Sequence, residues 1–177
     1  MGDGALWIAA LTGGTAVLAS WVTSRGNTRA ARVQAEASAH AQHRIKAHEL
    51  RRTAYLQLIE QAHLVGELYW RLGDVYAQLT DPVDQLARIE QLRADLRNAF
   101  DPLSRCVRVV VLEGPPTVAD AAEHLRQATM RTNRALSSIS QGQSDARERF
   151  DDAHRFFRAS LEHFIEAARN AIAAPSL

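Results

Sequence analysis

Apolar residues recur along this chain at alternating spacings of three and four, the signature of one-faced helices. Leu58, Ala62, Val65, Tyr69, Leu72, Tyr76 and Leu79 form one such seam, and Ile89, Leu92, Leu96, Ala99, Leu103, Cys106 and Val110 a second. Val118, Ala122, Leu125, Thr129, Thr132, Leu136 and Ile139 form a third, followed by Phe150, Ala153, Phe157, Leu161, Phe164, Ala168 and Ile172. Four amphipathic helices with bundle-like seams are predicted.

The breaks between seams carry turn chemistry. Thr80-Asp81-Pro82 ends one helix and starts the next, with Asp81 as cap and Pro82 in the first helical position. Glu113-Gly114-Pro115-Pro116-Thr117 and Gln141-Gly142-Gln143-Ser144 are the other two turns. Short connections imply antiparallel neighbours, so the expectation is an antiparallel four-helix bundle over residues 53–177. Pro102, after Asp101, should kink or restart the second helix. The run Cys106–Leu112 has strand-like composition but no second strand to pair with, and helix is the better reading.

The pattern upstream is different. Ala5 to Val22 is a stretch of about eighteen residues without a charge. At 1.5 Å per residue it spans about 27 Å, enough to cross a hydrocarbon core. Trp7 and Trp21 sit near its ends, where indoles favour headgroups, and Arg25, Arg29 and Arg32 follow at once. Residues 1–24 therefore read as a single transmembrane anchor with the N-terminus outside and the C-terminal domain in the cytoplasm. A cleaved signal peptide would carry its positive charge before the apolar stretch, the reverse of this order, although Val17-Leu18-Ala19 offers a cleavage site. An interfacial or soluble helix is the other alternative, since Thr12, Gly13, Gly14 and Thr15 interrupt the stretch.

Ala9/Gly13, Ala10/Gly14 and Ala16/Ser20 are small-residue pairs at the spacing that lets membrane helices approach closely. They are either an oligomerisation face or the ordinary small-residue content of a membrane helix. Gly26-Asn27-Thr28 should close the anchor helix and cap the next. Residues 25–52 are then an alanine-rich helical stalk, with seven basic residues against Glu36 and Glu49. Its cations can lie against anionic headgroups.

Composition adds little direction. The formal net charge is +1, so nothing global points to nucleic acid. Lys46 is the only lysine among 21 basic residues, and the Arg and Ala excess suggests a GC-rich bacterial genome. A single cysteine, Cys106, excludes an intrachain disulfide; its seam position predicts a buried, inert thiol.

Catalytic and metal motifs fare poorly. Glu60-x-x-His63 and Asp151-x-x-His154 resemble the ligand spacing of di-metal bundles. Relative to Ala62, Glu60 points about 160° away and His63 about 100° away, and Asp151 and His154 relate to Ala153 in the same way. Both pairs should face solvent or a helix flank. His40, His43 and His48 are unclustered on the stalk. No phosphate-binding glycine loop, zinc spacing or nucleophile elbow occurs. Neither a catalytic residue, a cofactor site nor a small-molecule substrate is expected. Tyr55, Tyr69, Trp70 and Tyr76 cluster along the first bundle helix, with Trp70 beside the seam as an edge-packing residue or a candidate partner-binding anchor.

The segments Ser20-Trp21-x-Thr23-x-Arg25, Arg51-Arg52-x-x-Ala54-Tyr55-x-x-Leu58-Ile59 and Val109-x-Val111-Leu112-x-Gly114-Pro115-x-x-Val118-x-x-Ala121-Ala122-x-x-Leu125 resemble those of uncharacterised actinobacterial membrane-anchored helical proteins. The resemblance covers most of the chain. It implies the same anchor-and-helices architecture in the bacterial inner membrane and brings no catalytic residue. The expected function is a membrane-anchored interaction or scaffold module, self-associating or recruiting another protein. The alternative is a membrane-active or channel-like oligomer assembled through the first helix.

Overall fold

In a computed structural model the apolar seams become four long helices, and every regular element among the described residues is helical. The structure describes residues 3–173; for residues 3–33, 35–37 and 41 it describes the backbone alone. The elements are α1 (Asp3–Gln78), α2 (Pro82–Glu113), α3 (Pro116–Ser140) and α4 (Ala146–Ala173). The chain divides into two units, Met1–Lys46 and Ala47–Leu177. The first is the upstream part of α1. The second holds the helical bundle.

Two expectations about helix breaks are corrected. The Gly26–Thr28 break is absent, because α1 continues through it. Gly and Asn permit a left-handed cap without requiring one, and the flanking Ala and Arg residues are strong helix formers. Pro102 likewise does not restart α2, which is one helix from Pro82 to Glu113. Proline removes one intrahelical bond, but the burial of Leu96, Leu103, Val107 and Val110 holds both sides of it in place.

The turns behave as their residues dictate. Asp81 caps α2, its carboxylate accepting from the Val83 amide at 2.8 Å, with Pro82 directly after it. Gly114 donates to the Val110 carbonyl at 2.8 Å, and a Cβ there would meet that oxygen at 2.8 Å and the Tyr55 hydroxyl at 3.2 Å. Only glycine fits against the Val110 carbonyl in this turn, which also meets Tyr55 of α1. Gly142 takes a φ of 70°, the left-handed conformation that closes α3.

The core follows the seams. Leu58, Ala62, Val65, Tyr69 and Leu72 of α1 are buried, as are Val118, Ala122, Leu125, Thr129, Thr132 and Leu136 of α3 and the six positions from Phe150 to Ala168 of α4. Residue pairing fixes the register. His48 lies against the Ile172 carbonyl, Tyr55 stacks edge-on to Phe164, and Tyr69 stacks edge-on to Phe150. Thr132 Oγ1 donates to its own helix at Ala128 (3.0 Å) and lies 3.1 Å from the Ala153 carbonyl of α4. Tyr76 departs from the expected seam: Val75 is buried in its place, and Arg147 sits 4.6 Å over the exposed Tyr76 ring.

Candidate functional site

Between α1 and α4 the bundle leaves an open cleft of about 260 Å³. Small residues on α1 create it. Ala62 and Gly66 lie where larger side chains would fill the space, and a Cβ at Gly66 would come within 3.6 Å of Phe157. Phe157, Leu161 and Ile165 supply the apolar floor, while His63, Glu67, Arg158 and Glu162 form a polar rim.

Trp70 stands at this cleft and is 63% exposed. Packing at the bundle edge was one expectation for it. The structure instead leaves most of the indole in solvent, with its ring perpendicular to the His154 ring at 5.6 Å. An exposed Trp beside an apolar hollow is the composition of a binding hot spot.

His154 lies on a helix flank, one of the two placements its spacing allows, half-buried and surrounded by Tyr69, Trp70 and Phe150 at centroid distances of 5.6, 5.6 and 5.9 Å. Its Nε2 is buried with no hydrogen-bond partner. Burial pushes its pKa below the ordinary histidine value, Arg158 adds to that, and Asp151 opposes it. The angle from Ala153 was right, but the ring reaches across the flank to α1. The aromatic residues at 69, 70 and 150 are the signal that a single-helix reading missed.

Next to the Phe157 floor lies a partly buried polar layer. The Tyr69 hydroxyl donates to Asn133 Oδ1 at 2.8 Å, with the Thr129 carbonyl 3.2 Å away. Burial drives the Tyr69 pKa strongly upward, so the phenol stays neutral and acts as a donor. Tyr69 also stacks edge-on to Phe157 at 5.2 Å, which joins this layer to the cleft floor.

Of the other expected residues, His63 reaches the cleft rim and the rest fall elsewhere. Glu60, His63 and Asp151 are exposed, and among the described residues no group of three or more His, Cys, Asp or Glu side chains is arranged to hold a metal ion. Cys106 is half-buried rather than buried, and burial raises its thiol pKa, the opposite of an activated nucleophile. Val107, equally in phase with Leu103 and Val110 at spacings of four and three, takes the fully buried place. The anchor residues Trp7, Ala9, Ala10, Gly13, Gly14, Ala16, Ser20 and Trp21, with Arg25, Arg29 and Arg32, lie outside the residues whose side chains are described. Among the described residues no helix is long and apolar enough to cross a membrane.

No family model, curated protein or solved structure matches this chain.

Proposed function

We propose that this chain is a membrane-anchored helical interaction module. Residues 1–24 hold it in the bacterial inner membrane, and an antiparallel four-helix bundle in the cytoplasm binds protein, in the first instance a second copy of itself. It carries no catalytic function in this reading. The exposure of Trp70 beside the α1–α4 cleft is the observation that carries the proposal. What sets Trp70 apart from the other exposed apolar residues is the apolar cleft beside it, and a bound partner would cover both together.

Two further features support the architecture. The partners of α1 residues 48, 55 and 69 on α4 are 172, 164 and 150, an order that runs backwards as an antiparallel pair requires. The charge order around residues 5–22 favours an outside N-terminus.

The test is the oligomeric state of the full-length protein in detergent or bilayer. Self-association should weaken by about tenfold or more in Trp70→Ala, with helix content and unfolding midpoint unchanged. Gly14→Leu should weaken it separately if the anchor also contributes. A full-length protein that is monomeric throughout would remove the scaffold reading. A reporter fused after Leu177 that is active outside the cytoplasm would remove the topology.

A further inference from the structure

The opposite flank of α4 borders a second cleft of different chemistry. It lies between α3 and α4, measures about 210 Å³, and is lined by Arg131, Arg134, Ser138, Arg149 and Asp152. Its carboxylate is already engaged, because Asp152 pairs with Arg155. Arg149 is engaged as well, by Asp145 at 2.9 Å. Arg131 and Arg134 remain. Among the described residues neither has a carboxylate partner, and Arg131 is held instead over the Phe156 ring at 5.6 Å.

Two guanidinium groups three residues apart on one helix repel one another. An anion between them reverses the sign of that interaction. Guanidinium forks match phosphate oxygens in a planar two-bond geometry that ammonium groups cannot offer. The cleft is also larger than a bare phosphate needs. We propose that it binds the phosphate group of a soluble phosphorylated small molecule.

A lipid phosphate is the other source of the same chemistry, and the pyrophosphate and vesicle arms of the experiment separate the two.

Pyrophosphate, titrated calorimetrically into the full-length protein in a maltoside detergent at low salt, probes the site. Saturable binding at one site per chain is expected. Arg131→Gln with Arg134→Gln should lower the affinity about tenfold or more. The exposed pair Arg105 and Arg108 has the same spacing on α2 and does not line this cleft. Changing that pair to Gln should leave binding within about twofold, since only general charge attraction is altered. Equal losses in the two double variants, or no saturable binding in the wild type, would overturn the proposal. So would binding to phosphatidic-acid vesicles that depends on Arg131 and Arg134 when pyrophosphate does not bind. Should the double variant fail to fold, protection of Arg131 and Arg134 by pyrophosphate against an arginine-selective reagent, read by mass spectrometry on wild-type protein, decides the question. Absence of protection counts against the site.

Discussion

The two sides of the bundle core are built from different material. Every buried aromatic ring among the described residues lies on α1 or α4: Tyr55, Tyr69, Phe150, Phe157 and Phe164. On α2 and α3 the buried residues are Ile, Leu, Val, Ala and small hydroxyl side chains. Branched aliphatic groups of α2 face the alanines and threonines of α3. Rings meet edge to face, and beside Ala62 and Gly66 they leave a gap. The cleft on the α2–α3 side measures about 140 Å³ against about 260 Å³ between α1 and α4. Aromatic packing thus borders the widest of these three clefts, which also include one of about 210 Å³ between α3 and α4.

The sharpest way to break this comparison is to remove equivalent volume from each side. Leu103 is closed in on the aliphatic side, and replacing it by Ala should cost about 2–5 kcal/mol, including the cavity left behind. Leu161 borders the open cleft and keeps 8% of its surface exposed, so Leu161→Ala, the same deletion, should cost only about 1–2 kcal/mol, because solvent and neighbouring side chains can enter. Urea unfolding of residues 47–177, followed by circular dichroism, measures both. That fragment is expected to fold alone, since it contains the whole described core. Equal costs would mean the two sides are packed alike.

Most of this core could be read from spacing. All six α3 positions from Val118 to Leu136 and all six α4 positions from Phe150 to Ala168 are buried as the three-and-four alternation requires. Periodicity reports one helix at a time, and it weakens wherever a second helix decides. Tyr76 has the right phase but finds Arg147 outside, while Val75 is covered inside. His154 has a flank phase, yet residues 69 and 70 of another helix turn that flank into an aromatic pocket. Trp70 was legible as a large residue beside the seam, and its exposure depended on Gly66 and Ala62 leaving no wall to pack against.

A smaller effect tests the polar layer next to the cleft floor. Tyr69→Phe keeps the ring contacts with Phe150 and Phe157 and removes the donor to Asn133. The expected loss is about 1 kcal/mol, because the Asn133 amide is half-buried and regains part of its bonding from water. A loss near zero would show that the hydroxyl is not holding α1 to α3.

Gly66→Ala should move stability the other way. The added methyl meets Phe157 at ordinary contact distance, 3.6 Å, and replaces the most flexible residue inside a helix. A gain of about 0.5–1 kcal/mol is expected, with weaker self-association because the cleft loses depth. Stability and binding thus change in opposite directions. If both rise, the hollow is a packing defect and not the site Trp70 serves.

The smallest expected effect is a pH dependence carried by one histidine in the aromatic flank. The folded state holds His154 below the ordinary histidine pKa of about 6.5, mainly through burial. Below that value the unfolded chain therefore binds a proton that the folded chain resists. The stabilisation is complete above about pH 6.5 and is lost as pH falls through the lower, folded-state value. Arg158 strengthens the effect and Asp151 weakens it, so Asp151→Asn should steepen the acid loss and Arg158→Gln should soften it. His154→Phe keeps the contacts with Tyr69, Trp70 and Phe150 and removes the titration. Its unfolding midpoint, plotted against pH, should fall less than the wild-type curve between pH 7.5 and pH 5, with the remaining slope due to the other ionisable groups. Parallel curves would place the His154 imidazole in contact with water, and the aromatic flank would then be as open at its centre as it is at Trp70.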